Sequence, residues 1–578
     1  MIILGINAYH GDSSACLVEN GNILCAIEEE RINRIKHWAG FPGESIKWCL
    51  EYSGINIEEI DYIAVSRNPS ARIFKKLLRL IQKRPNIKFF KDRFKNLKKI
   101  QDLKTQTCQL FNISKDSIKA ELINVEHHSS HIASSYMISD MNSASCISVD
   151  GFGDFVSVMR GECEGREFNI LDTVDYPHSL GIFYTALTQF LGFKNYGNEY
   201  KVMGLSAYGN AKYNSELRDI VKLKDNGLFE LDNSFFLHDS KGVEMTWNDG
   251  SPNIGNLYSD KLSELLGKPR SENDNIQQLH KDLACSVQCI YEETLFHMLD
   301  DLYIKYRNDN LCLAGGCAQN SLANGKILKK TGFKNLFIPP SAHDGGTSIG
   351  AALWTWNKYS GNNPINTNKS PYLGQKFDNS EIEEVLNQNS LKYIHHEDSQ
   401  LIKQVAKYLS DGLIIGWFQG RSEWGPRALG NRSIICDPSF PGMKEIINSK
   451  IKRRESFRPF APSILLEHVD EWFESIDPVP YMEMVYTIKK EKKDIVPAIT
   501  HIDGTGRLQT VSMDLNEKYY NLISEFYRLK GIPMILNTSF NENEPIVNNP
   551  QQAIDCFLRT DMDLLVIENY LLLKTNNK

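Results

Sequence analysis

The sequence has 12 cysteines but no Cys-x-x-Cys pair, which counts against a structural zinc site and against a disulfide framework. It also lacks any apolar run of the roughly 18 residues that a membrane-spanning helix needs. Nor does it open on a basic leader. Met1-Ile2-Ile3-Leu4-Gly5-Ile6 reads as a first strand, so a cytoplasmic location without membrane attachment is the expectation. Cationic excess is missing as well. The formal charge is −7 over 578 residues, which argues against a general nucleic-acid or membrane-surface binder and leaves room for a local basic site. Hydrophobic content of 41% and charged content of 24% are ordinary for a globular chain. The length implies two or three domains.

What is present is concentrated in a few stretches. His127-His128-Ser129-Ser130-His131 places two imidazoles four residues apart. On a helix they share one face, about one turn apart, where neutral imidazoles can bind one divalent metal. The apolar run Ala144–Val149 reads as a buried strand ending at Asp150-Gly151-Phe152-Gly153-Asp154. A carboxylate beside two glycines suits a metal-and-phosphate site, because Gly151 and Gly153 let backbone N–H groups approach an anion. A helix with surface histidines and a tight turn would give the same letters. The close succession of the two motifs favours the metal reading.

Strand and helix signals alternate through the first 350 or so residues: strands at Ser14–Val18, Ile23–Glu28, Tyr62–Ser66, Glu121–Val125 and Leu311–Ala314, helices at Gly43–Tyr52 and 275–306. Such alternation defines an α/β architecture with chemistry on turns at strand ends. A basic block over Arg72–Lys104 carries apolar residues at helical spacing, and reads as a solvated amphipathic excursion or a docking surface for an anionic partner. The stretch 356–370, rich in Asn, Gly, Pro and Ser, reads as a linker, and helices over Asn379–Gln388 and Leu401–Leu409 and a strand over Leu413–Phe418 follow it. No internal sequence repeat is visible.

Three loops of the first half would converge in a two-lobed nucleotide-binding fold: 7–15 (Asn7-Ala8-Tyr9-His10-Gly11-Asp12-Ser13-Ser14-Ala15), Asp150–Asp154, and the Gly315-Gly316 turn, which would lead into a helix facing an anion. Asp344, before Gly345-Gly346, adds a further carboxylate or an ordinary Asp-Gly turn. Cys317 follows a glycine pair, but a catalytic thiol is not expected there.

These residues resemble the acetate and sugar kinase, Hsp70 and actin superfamily, and more closely its Kae1-like branch. The resemblance implies a two-lobed actin-like domain over 1–358 with iron or a similar divalent metal on His127, His131, Asp150 and Asp344. The stretch 198–209 is similar to a signature of that branch; its Glu199 and Lys201 would share a face on a strand.

The second half places Arg421, Arg427 and Arg432 within thirteen residues, then Lys450-Ile451-Lys452-Arg453-Arg454-Glu455-Ser456-Phe457-Arg458-Pro459. The prolines predict a fixed, largely extended loop presenting these cations. Arginine offers a planar fork for phosphate oxygens and lysine a point charge, so a polyanionic small ligand is expected in an acidic chain. A Gly-rich turn delivers Arg507, and the strand Met534–Ser539 ends in Asn537, Thr538 and Ser539.

This half resembles a YrdC-like α/β domain (372–578, after a linker at 359–371), and the domain order is that of O-carbamoyltransferases of the NodU and TobZ type. The resemblance implies ATP binding by Arg427, Lys452, Arg507, Asn537 and Ser539 with Arg458 in support, Lys452 being catalytic as well; carbamoyl phosphate and ATP, with Mg, as substrates; carbamoyl adenylate as an enclosed intermediate; and no nucleic-acid partner. Transfer to a hydroxyl of a small metabolite would follow at the metal site, with His10 or Asp12 as base, Asp12 serving equally well as a turn residue. A homodimer is compatible with it. A tRNA-threonylcarbamoylating or hydrogenase-maturation enzyme, an actin-like kinase and an Hsp70-like binding protein are the rivals.

Overall fold

The computed structural model describes residues 1–83, 102–240, 245–246, 250–361, 363 and 369–577. They form two units. One comprises Met1–Asn320 with Lys326–Lys369; the other comprises Ser321–Gly325 with Ser370–Lys578.

The first unit holds two five-stranded sheets of the same design. In one, Asn22–Glu28, Ser14–Glu19 and Ile2–Asn7 run antiparallel, and Tyr62–Val65 and Glu121–Asn124 then add in parallel. In the other, Glu167–Asp175, Val156–Glu164 and Ser143–Gly153 run antiparallel, and Asn310–Ala314 and Asn335–Phe337 add in parallel. The repeat absent from the sequence is thus present in topology. Parallel central strands are covered on both faces, which is why their residues are apolar without alternation: Leu311, Cys312, Leu313 and Ala314 are all buried, and Cys312 pairs with the buried Cys146.

Helices His127–Tyr136 and Thr347–Tyr359 pack on each other. Their approach depends on Gly350, where a Cβ would lie 1.8 Å from the Ser130 carbonyl oxygen. Both helices begin at the residues that matter below, His127 and the turn after Asp344.

Glu199–Ser206 is a helix, not a strand. Val202, Leu205 and Ser206 are its buried residues, a helical spacing that outweighs Gly204. Glu199 and Lys201 consequently diverge: the Glu199 carboxylate accepts a hydrogen bond from Thr185 Oγ1 at 2.6 Å, and Lys201 Nζ lies 5.4 Å from the Phe193 ring centre. Of the basic block, Lys75, Lys76, Arg79 and Lys83 fall on the helix Ile73–Lys83. Lys75 pairs with Asp175 and Arg79 with Asp239. Arg84, Lys88, Lys91, Arg93, Lys95, Lys98 and Lys99 lie outside the described residues, as do 362 and 364–368 of the expected linker.

The second unit is built on a nine-stranded sheet. Its centre runs Ile415–Phe418, Arg432–Cys436, Met534–Ser539, Ala461–Leu465 and Thr505–Val511. Lys450 and Lys452 do not sit in an extended loop. The helix Met443–Ile447 widens into a π-turn over Asn448–Lys452, and Arg453 ends it with a left-handed φ of 42°. The prolines act only later, where Pro462 enters the start of its strand.

Candidate functional site

In the first unit the two histidines and two aspartates converge. One ligand atom from each of His127, His131, Asp150 and Asp344 lies within 4.8 Å of the other three, and all four residues are buried. The helical spacing puts His131 Nε2 3.1 Å from His127 Nε2. Asp150, on the second sheet's central strand, brings Oδ2 to 3.2 Å from His127 Nε2. Asp344 Oδ1 lies 3.5 Å from His127 Nε2 and 3.4 Å from His131 Nε2.

The backbone is shaped to hold these groups. A Cβ on Gly153 would lie 1.9 Å from His127 Cδ2. Gly315 has φ +94°, and a Cβ there would meet the Val149 carbonyl oxygen at 2.1 Å. Gly316 N–H donates to Asp150 Oδ1 at 2.9 Å, at the head of a short 3-10 turn, Gly316–Gln319. Gly151 alone of the four glycines has open space where a Cβ would be. His128, the middle histidine, does different work. Its Nε2–H donates to the Val156 carbonyl at 3.0 Å and its Nδ1 accepts from Ser148 Oγ at 2.9 Å, while burial pulls its pKa down to about 4. It is a neutral rivet between helix and strand. Asp154 accepts from the backbone N–H of His127 at 3.0 Å and of Asn68 at 2.7 Å, fixing the start of the histidine helix.

Electrostatics agree with a cation-binding cluster. Burial raises the cost of the Asp150 and Asp344 charges, yet the histidines hold both carboxyls below the usual range. Burial pulls His131 down, and the adjacent Asp150 and Asp344 carboxylates outweigh it, pushing His131 up to about 9. Asp344 Oδ1 and His131 Nδ1 are buried without a hydrogen-bond partner among the described residues. An orphaned carboxylate oxygen beside two imidazole nitrogens fits a divalent metal of the iron, zinc or manganese kind.

His10 and Asp12 sit on the rim. His10 Nδ1 is 2.5 Å from Asp344 Oδ2, and His10 Nε2 is 3.2 Å from the Phe152 carbonyl oxygen. Asp12 is held elsewhere, 2.7 Å from His37 Nδ1 and 3.5 Å from His343 Nδ1. Its left-handed φ of 55° marks a tight turn, which the Asn7 amide closes by donating to Gly11 O and Asp12 O. Ser14 Oγ donates to the Gly345 carbonyl at 2.7 Å, tying this first loop to the Asp344 turn. Burial opposes both charges of the Asp12–His37 pair, but their attraction prevails: Asp12 is lowered and His37 is raised to about 9. Sequence reasoning missed His37 and His343, although the latter adjoins Asp344, and it named Asp154 only as the end of its glycine loop.

The second unit carries a cationic cluster. Arg507 lies on the strand Thr505–Val511; burial lowers its pKa well below the usual range, and Arg427, Arg454 and Arg458 push it further the same way. Arg507 Nε is buried without a hydrogen-bond partner among the described residues. Arg454 stacks 4.3 Å from the Phe460 ring centre and Arg458 stands 3.6 Å from Glu455. Like charges gathered in a half-buried place destabilise the unit until an anion neutralises them.

Asn537 and Lys452 bond to the backbone and to polar side chains of the second unit. The Asn537 amide N–H2 reaches the Ala428 carbonyl at 3.1 Å, Ser463 Oγ at 3.0 Å and Gln509 Oε1 at 3.1 Å. It thereby ties the segment after Arg427 to the sheet. Lys452, 2% exposed, donates to Ser539 O at 2.6 Å and to Asn541 O and Oδ1, both at 2.7 Å. Ser539 Oγ donates to Asn541 Oδ1 at 2.8 Å. Lys452→Met should therefore cost about 1–3 kcal/mol for each acceptor left buried and unsatisfied, seen as a lower denaturation midpoint for the unliganded protein. An unchanged midpoint would mean that the ammonium does not hold this turn.

Fold and sites define an α/β protein with a buried two-His, two-Asp cluster in one unit and an arginine cluster in the other. The carbamoyltransferase N-terminus family model matches residues 2–353 and the carbamoyltransferase C-terminus model residues 406–574. The chain belongs to the carbamoyltransferase family and is a carbamoyltransferase. An uncharacterized protein of Synechocystis is 38% identical over 99% of this chain and 97% of its own length. Nodulation protein NolNO of Sinorhizobium fredii is 35% identical over 98% of this chain and 80% of its own length. Among solved structures, T. kodakarensis HypF aligns with 13% identity and a TM-score of 0.31 over 62% of this chain and 48% of its own, too remote to bear on the fold. No described helix is long and apolar enough to cross a membrane.

Proposed function

We propose that the chain is an ATP-dependent O-carbamoyltransferase that works in two steps, one in each unit. In the second unit water cleaves carbamoyl phosphate to carbamate and phosphate. A carbamate oxygen then attacks the α-phosphorus of ATP, giving carbamoyl adenylate and pyrophosphate. Arg427, Arg507 and Arg458 neutralise the phosphates as charge moves, while Asn537, Ser539 and Lys452 hold the segments that carry or face them. The observation that carries this reading is Arg507, half-buried among three other guanidiniums with its buried Nε unpartnered among the described residues, in a chain of the carbamoyltransferase family.

In the first unit an acceptor hydroxyl attacks the carbamoyl carbon, forming the carbamate ester and releasing AMP. His127, His131, Asp150 and Asp344 would hold a divalent metal, iron by resemblance, which supplies Lewis-acid polarisation and a fixed point for the phosphate. His10 lies beside Asp344 and is better placed than Asp12 to take the hydroxyl proton, since Asp12 is engaged by His37. Enclosure keeps water from the adenylate. The paired five-stranded sheets support an actin-like reading of this unit. The acceptor class proposed is a small hydroxylated metabolite.

The same sheets would also suit a small-molecule kinase, but the His/Asp cluster and the arginine cluster have no role there. Products separate the two: adenylation yields AMP and pyrophosphate, and a kinase yields ADP.

A further inference from the structure

We propose that Arg67 is an anion-binding residue of the first unit and grips the phosphate of the nucleotide that leaves as AMP. The inference rests on the two-step reading for the identity of its anion.

Arg67 follows the parallel strand Tyr62–Val65 of the first sheet, at the carboxyl end where ligands bind in open α/β sheets. Its backbone is pinned on both sides. Ser66 Oγ donates to Asn7 Oδ1 at 3.3 Å and accepts from Thr347 Oγ1 at 2.9 Å, three residues after Asp344. Asn68 N–H donates to Asp154 at 2.7 Å, the carboxylate that also takes the His127 N–H. A guanidinium mounted there is aimed by its neighbours rather than by its own long side chain.

Its surroundings are those of the metal-capable cluster. Arg67 Nη1 donates to the Tyr9 carbonyl at 3.1 Å, one residue before His10. Asp154, Asp344 and His10 are the charged groups that feel it. Yet no carboxylate stands within ion-pair distance of Arg67 among the described residues, and the Tyr9 bond is its sole hydrogen bond there. Asp154 is occupied by two backbone N–H groups, and Asp344 by His10 and the cluster. A half-buried guanidinium thus keeps most of its five N–H donors free beside the cluster. Burial also pulls its pKa down, against the pull of Asp154 and Asp344, so its charge is under-compensated. That state is costly in the empty protein and is relieved when a phosphate supplies a pair of oxygens to the planar fork.

The test uses AMP as probe and the full chain with Arg507→Gln, which removes the central cation of the second unit. AMP affinity is measured by calorimetry and metal content by elemental analysis. Arg507→Gln protein is expected to bind AMP. Adding Arg67→Gln should weaken binding by about tenfold or more with metal content unchanged, and Arg67→Lys should recover part of the loss. Equal AMP affinity with and without Arg67→Gln would overturn the proposal. So would loss of metal together with AMP, because Arg67 would then act by holding the cluster. Pyrophosphate formation by the unsubstituted protein tests the two-step reading separately; its absence would leave the AMP result standing and change only the identity of the anion.

Discussion

His131→Ala is expected to strip the first unit of its metal and to abolish carbamoyl transfer, while carbamoyl-phosphate-dependent formation of pyrophosphate continues. The residue contributes Nε2 to a cluster whose other members lie within 4.8 Å, and its Nδ1 has no hydrogen-bond partner among the described residues. Removing the ring therefore deletes a ligand without breaking a second bond on its far side. Loss of residues that merely support ligands typically costs 10–100-fold, so loss of a ligand should cost more than about 100-fold in metal affinity or transfer rate. The fold should survive. The histidine helix remains held by the His128 bonds to Ser148 and Val156, by Asp154 at its first N–H, and by the Gly350 contact. Elemental analysis and a transfer assay on the same preparation check this. Retained metal, or equal loss of pyrophosphate formation, would separate the cluster from transfer.

Arg507→Gln is expected to do the reverse: to depress pyrophosphate formation by about 100- to 1000-fold, the usual effect of deleting one preorganised donor from a charge-stabilising site. Its metal content should stay as in the unsubstituted protein. The unliganded protein should also become more resistant to heat, because Arg427, Arg454 and Arg458 would lose the repulsion of a fourth, half-buried guanidinium. Higher stability with lower activity is the mark of a site built for its ligand. A drop in both would assign Arg507 to the fold.

Much of the first unit was legible because its signals are local. The i, i+4 histidines need only a helix to face one way, and the run ending at Asp150 needs only a sheet covered on both sides. Asp344 was legible as a carboxylate before a glycine pair, though its partner His10 was reached through a loop rather than through spacing. Arg67 was not legible: its significance arises from Tyr9, Asp154 and Asp344, which are brought to it by three separate connections. The helix Glu199–Ser206 was hidden by its shortness and by Gly204, and shows itself through burial of Val202 and Leu205. At Lys450–Lys452 the prolines drew attention to an extended chain that begins only after the π-turn has ended. The doubled sheet was legible as a two-lobed fold but not as a sequence repeat, because topology repeats through turns and apolar patterning, which need no shared residues.

The central claim, that carbamoyl is activated on ATP in the second unit before transfer in the first, is tested most directly by pyrophosphate–ATP exchange. Purified protein with labelled pyrophosphate, ATP and Mg should move label into ATP only when carbamoyl phosphate is added. The exchange should persist in His131→Ala and collapse in Arg507→Gln. Label that never enters ATP, with ADP as the nucleotide product, would contradict the account.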